Sequence, residues 1–162
     1  MKEENDSKVY VLDTNILIEF SKWLPLDLNK VFWLKMEESL QKGQWVLLDV
    51  AINEVERDNE GLKKWCDDQK KKGLIKNIDD SHRNRAIEIN NLYKMIDETT
   101  GKSDGDTYLI AYAEANKLVV FSREGYRAKD TDLYKIPDVC GELKVKVIRR
   151  PRIFLEAIEY KN

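Results

Sequence analysis

The sequence predicts an α/β fold: three layers, α/β/α, around a central, mainly parallel sheet of four to five strands. Two observations carry this. Short apolar runs rich in β-branched and aromatic residues recur at Lys8–Leu12, Gln44–Leu48, Leu118–Phe121 and Val145–Ile148, as expected of buried strands. Longer segments with apolar residues at helical spacing separate them. Strand–helix alternation of this kind is the pattern of a parallel sheet covered on both faces.

The elements follow in order. Asp13, Thr14 and Asn15 are a helix-start signal directly after the first strand, and the helix carries Ile16, Leu17, Ile18 and Phe20 until Pro25 ends it. A second helix is expected from about Leu28 to Gln41, stopping before Gly43. After the second strand, Asp49 leads into a helix with Val50, Ile52, Val55, Leu62 and Trp65 on its apolar side, closed by Lys70–Lys72 and Gly73. From about Asp80 a further helix carries Ala86, Ile89, Leu92, Tyr93 and Ile96. Ser103 and Asp106 have the spacing of a capping box. The helix they open, Thr107 to about Asn116, is apolar nearly all round and is therefore expected to be buried. A closing helix covers Arg152 to Tyr160. With 7 Gly, 3 Pro and no linker or repeat, residues 1–162 read as one domain.

Composition limits the function. The 28 Lys and Arg nearly cancel 30 Asp and Glu, for a net charge of -2. That argues against a global positive field holding nucleic acid, but not against a local one. No apolar run approaches the roughly 18 residues of a membrane span, and the polar start MKEENDSK lacks the apolar core of a secretory signal. The expectation is a soluble, cytoplasmic protein. Two cysteines, Cys66 and Cys140, and one histidine, His82, make thiolate zinc sites, His-based metal sites and Ser-His triads improbable. Carboxylates, hydroxyls and basic groups are left to carry any chemistry.

In open parallel sheets the ligand site lies beyond the carboxyl ends of the strands. Acids occur there repeatedly: Asp13 after the first strand, Glu54 after the second, Asp106 in the first turn of the apolar helix, and Glu124 after the third strand, with Asp104 close by. Each has a plain structural reading. Asp13 can cap a helix, Glu54 can lie on a solvated face, Asp106 can complete a capping box, and Glu124 can be loop surface. Their combination at one edge is the functional signal. Clustered carboxylates raise one another's pKa unless a cation neutralises them, and oxygen-only donors favour Mg²⁺ or Mn²⁺. Such ions activate water for attack on a phosphodiester.

These residues resemble a known family. Val9-Tyr-Val-Leu-Asp-Thr-Asn15 looks like the opening motif of PIN domains, and Ile52-Asn-Glu-Val55 like their second. Ser103 to Ala111 with Ala113 resembles the third motif, and Val119 to Glu124 the fourth; Lys135 to Cys140 looks like the tail of a PIN-like subfamily. The resemblance implies a metal-dependent endoribonuclease that hydrolyses RNA. Among small stand-alone domains it implies the toxin half of a toxin–antitoxin pair, with an antitoxin protein as partner and a homodimer left open. It makes Asp13, Glu54, Asp106 and Glu124 the acidic quartet, and Asn15 and Ser122 the polar residues that orient them. Two departures stand out. The fourth acid is more often Asp, so Asp138 rivals Glu124, although capping the stretch after Pro137 is its plain reading. The insert at about 61–100 is longer and more helical than in minimal members. Its Lys70, Lys71, Lys72, Arg83 and Arg85 are candidates for an RNA backbone, against the plain reading of a solvated face.

Two other functions stay open: a catalytically silent PIN-like module that binds RNA or protein, and a phosphohydrolase with an aspartyl nucleophile. The second is disfavoured because Asn15 stands where such enzymes place another Asp. Trp33, Trp45 and Trp65 are expected in the core, Cys140 buried, and His82 at the surface.

Overall fold

A computed structural model describes residues 8–55, 60–100 and 104–161, except for the side chain of Asp104. Among the described residues, five strands form an all-parallel sheet: β1 (Tyr10–Leu12), β2 (Trp45–Leu48), β3 (Ile75–Lys76), β4 (Val119–Phe121) and β5 (Val147–Ile148). Their order is β3-β2-β1-β4-β5, with Tyr10 beside both Trp45 and Val119.

The strands β1, β2, β4 and β5 divide their side chains between two apolar layers, as a period of two requires. Tyr10, Leu12, Trp45, Leu47, Val119 and Phe121 face one core. That core is covered by α1 (Thr14–Trp23), α2 (Lys30–Gln41), the short α3 (Asp49–Asn53), α4 (Glu60–Lys71) and α8 (Pro151–Ala157). Val11, Val46, Leu48 and Val120 face the other core. There they meet α5 (Asp80–Leu92), α6 (Asp104–Asn116) and α7 (Ile136–Leu143). The expected three-layer α/β/α architecture is what forms.

The first core is aromatic. Trp33, Trp45 and Trp65 are all buried in it as expected, whereas Trp23 is 59% exposed under the Arg123 guanidinium, 5.2 Å from its ring centre. Phe154 of α8 is fully buried against the rings of Tyr10, Phe121, Trp45 and Phe20, at centroid separations of 5.8, 5.3, 6.3 and 6.5 Å. One short helix thereby ties β1, β2 and β4 to α1. Phe154→Ala is expected to lower the unfolding free energy by about 3–5 kcal/mol, read as a fall in the urea midpoint at unchanged slope.

Several expectations change. The helix expected to run unbroken from Asp49 through Trp65 is two helices, because Glu54 caps α3 with its N–H on Ala51 and Ile52 carbonyls; residues 56–59 lie outside the description. The helix α5 stops at Leu92, short of Tyr93 and Ile96, where the Asn90 side chain accepts from the Met95 and Ile96 N–H groups at 2.8 and 3.0 Å and turns the chain away. The 61–100 segment is not purely helical: it supplies the edge strand β3, too short to show alternation in sequence. The helix α7 was also not foreseen as an element. Ser103, and with it the expected capping box, lies outside the described residues.

His82 is buried, contrary to expectation. Its N–H donates to Asp79 Oδ1 and its Nδ1 accepts from the Asp79 N–H, both at 3.1 Å, closing a capping box at the start of α5. Its ring lies 4.9 Å from that of Tyr112. The cap draws the imidazole inward. Cys140 is buried as expected, and desolvation pushes its thiol up to about 12, so it is inert.

Candidate functional site

Asp13 is set by the two central strands. Its N–H donates to Phe121 O at 2.9 Å, continuing the β1–β4 ladder by one residue past the end of β1. Its side chain then caps α1, Oδ1 accepting from the Asn15 N–H at 3.3 Å. Ser122, the first residue after β4 and fully buried, donates Oγ–H to Oδ2 at 3.0 Å. Asp13 is only 5% exposed, and burial pushes its carboxyl from 3.8 up to about 6. The Asn15 N–H and Ser122 hydroxyl oppose that rise, and the charges of Glu124 and Glu54 add to it. A cap alone would draw the pKa down; a buried acid facing other acids is a different object.

Glu54 ends α3 and is reached by the motif that supplies Asp13. Buried Thr14 donates Oγ1–H to Glu54 Oε1 at 2.6 Å. Asp13, Thr14, Glu54, Gly105 and Asp106 line one narrow cleft between the carboxyl edge of the sheet and the start of α6. Gly105 permits this close approach, because a Cβ at that position would collide with the Glu54 carboxylate as it stands. Thr14 and Gly105 are the positioning residues that sequence reasoning missed. The signals were present: Thr14 is the middle residue of the Asp-Thr-Asn motif, and Gly105 is a glycine inside a helical first turn, where it costs stability.

Glu124 approaches from the other side of Asp13. Its N–H donates to Ser122 Oγ at 3.1 Å, and its Oε1 accepts from the Ile136 N–H at 2.7 Å, capping the start of α7. Asp138 caps the same turn: its Oδ2 accepts from the N–H groups of Lys135 and Arg127 at 2.9 and 3.0 Å. Glu124 and Glu54, and not Asp138, are the acids whose charges raise Asp13. Asn15 contributes its backbone N–H to Asp13 while its residue is exposed.

The basic candidates scatter. Lys70 and Lys71 end α4, and Lys72 pairs with Glu37 at 2.7 Å. Because α4 leads back to the start of β3, the parallel topology sets these three at the amino edge of the sheet, away from the acids. Arg83 lies 3.6 Å from Asp80. Arg85 is held by Glu114 through Nε and Nη2 at 2.7 and 2.9 Å and by Glu88 at 3.0 Å. An Arg so engaged is a fastener between α5 and α6.

Among the described residues, no three Asp, Glu, His or Cys side chains stand as a ready metal-binding group; the side chain of Asp104 lies outside the description. The donors of the cleft nevertheless suit a hard divalent cation. They are all oxygen, they repel one another at Asp13, and Gly105 lets the Glu54 carboxylate approach the start of α6. Mg²⁺ is commonly held by only one or two protein carboxylates.

Fold and site together define an open, parallel α/β protein with a buried carboxylate and two acid neighbours at the carboxyl edge of its central strands. The chain belongs to the family described as Domain of unknown function (DUF4411), whose model matches residues 10–158. No curated protein and no solved structure matches it.

Proposed function

We propose that the protein is a divalent-metal-dependent endoribonuclease of the PIN-like type. The observation that carries this reading is Asp13: a buried carboxylate with a raised pKa, sharing one cleft with Glu54 and Asp106 and lying in the field of Glu124. Its motifs resemble those of PIN domains, which supports RNA as the substrate. Asp13, Glu54, Asp106 and Glu124 would hold Mg²⁺ or Mn²⁺, with Asp104 as a further candidate. Bound there, the ion supplies Lewis acidity toward the phosphodiester and a water of lowered pKa. The protein's own part is orientation. Ser122 and the Asn15 N–H hold Asp13, and Thr14 holds Glu54. Asp106, half-buried at the cleft, would help take a proton from the attacking water. A paired antitoxin, a homodimer and a cytoplasmic location belong to the same proposal and rest on the resemblance and the composition. No helix among the described residues is long and apolar enough to cross a membrane.

Purified protein incubated with single-stranded and structured RNA is expected to cleave only with Mn²⁺ or Mg²⁺ and to stop with EDTA. Cleavage that persists in EDTA overturns the reading. The lack, among the described residues, of three Asp, Glu, His or Cys side chains in a ready metal-binding group favours one competitor, a silent binding module, and calorimetry separates the two: an Mn²⁺ titration without heat supports the module. The two acids near α7 are separable as well. Asp138→Ala and Glu124→Ala are each expected to lower stability by about 1 kcal/mol through a lost cap, but only Glu124→Ala should weaken Mn²⁺ binding.

A further inference from the structure

The opposite edge of the sheet holds a second cleft, of about 800 Å³, at the amino ends of β1, β4 and β5 and the carboxyl ends of α6 and α7. Its size is that of a small-molecule site. Val9, Leu118 and Val145, each half-buried, give it an apolar floor. Four exposed lysines, Lys8, Lys117, Lys144 and Lys146, stand around that floor. Among the described residues none of the four has an ion-pair partner. Glu114 is the cleft's carboxylate, and Arg85 already holds both its oxygens at 2.7 and 2.9 Å. The side chains of the cleft are therefore net positive in a chain whose total is -2.

Two of these lysines occupy conformations that lysine does not favour. Lys117 and Lys144 end α6 and α7 at φ +55° and +59°, the left-handed region where glycine is the usual residue. Helix C-termini attract cations through their exposed carbonyls, which accounts for a lysine at each end. It does not account for Lys8 and Lys146, which precede strands and converge on the same cleft.

We infer that this cleft binds a nucleoside phosphate, its phosphates among Lys8, Lys117, Lys144 and Lys146 and its nucleoside over Val9, Leu118 and Val145. The assignment is independent of the acidic cleft and of the proposed nuclease activity. A phosphate chain matches four lysines that have no ion-pair partner among the described residues, and a flat, largely apolar base matches the apolar floor. Inorganic phosphate would satisfy only the rim.

The probes are ATP and tripolyphosphate, titrated into the full-length protein by calorimetry in EDTA so that no divalent ion bridges ligand and acids. ATP is expected to bind, and to bind more tightly than tripolyphosphate. The doubly substituted Lys117→Gly, Lys144→Gly protein should bind ATP at least tenfold more weakly while melting no lower than wild type, since glycine suits both left-handed positions. Asp13→Asn should leave ATP binding unchanged. No binding of ATP, or binding that the double substitution leaves intact, overturns the site. Equal affinity for ATP and tripolyphosphate overturns the nucleoside part of the assignment. A change of ATP affinity in either direction in Asp13→Asn would place the ligand at the acidic cleft instead.

Discussion

Asp13→Asn is expected to abolish metal-dependent cleavage and, in the absence of metal, to make the protein more stable. The second effect follows from the sign of the pKa shift. In the folded chain the carboxyl is raised from 3.8 to about 6, so the native state binds the proton more tightly than the unfolded state does. The stability this confers is fully present below about pH 4 and is lost as the pH rises through about 6. At pH 7 the buried charge then costs about 3 kcal/mol relative to the protonated group. Asparagine keeps the oxygen that accepts from the Asn15 N–H or Ser122 and removes the charge. The metal-free variant should melt several degrees higher than wild type at pH 7, and the difference should vanish near pH 4. Mn²⁺ should reverse the ranking, because a ligand of the native state raises stability by mass action only where it binds. Cleavage should fall by more than about 100-fold, the loss that an outer-shell partner alone can cause. Thermal melts across pH 4–8, with and without Mn²⁺, read all of this. An Asp13→Asn protein that melts lower than wild type at pH 7 without metal would show that Asp13 is a structural cap.

The same residue shows what was legible in the sequence. Strand, motif and helix start were all visible around Val9–Asn15, because each rests on contacts local in the chain. Glu54 and Glu124 were legible as acids after strand ends, and Asp106 as an acid in a helix's first turn, for the same reason. The roles of their neighbours were not. Asn15 was expected to orient the acids, and its N–H is the group that meets Asp13, while Thr14 reaches Glu54 across 40 residues. Nothing local distinguishes a threonine that packs from one that donates over that separation. The edge strand β3 and the helix α7 were missed for different causes. Ile75–Lys76 is too short for any period to appear. The start of α7 is satisfied partly from outside, by Glu124 twelve residues upstream. His82 was misplaced because a polar residue in a charged helix start reads as surface, and only its reciprocal bond with Asp79 turns it inward.

Gly105→Ala tests whether the cleft depends on that close approach. The new methyl group would meet the Glu54 carboxylate, the far end of a flexible side chain on an exposed residue. The collision is therefore relieved by swinging Glu54 aside, which breaks its 2.6 Å bond from Thr14 and leaves the backbone in place. Alanine also favours helix over glycine by about 0.5–1 kcal/mol, so the melting temperature should hold or rise slightly. Cleavage and Mn²⁺ affinity should nevertheless fall by about 10- to 100-fold, as when a ligand loses its orientation. Stability retained with activity lost is the opposite of what an unfolding defect produces. Shortening the displaced side chain supplies the control: Glu54→Asp in the Gly105→Ala background withdraws the carboxylate by one methylene and should recover part of the Mn²⁺ affinity, although Glu54→Asp alone weakens it. Wild-type Mn²⁺ affinity in Gly105→Ala would mean that Glu54 does not belong to the metal site.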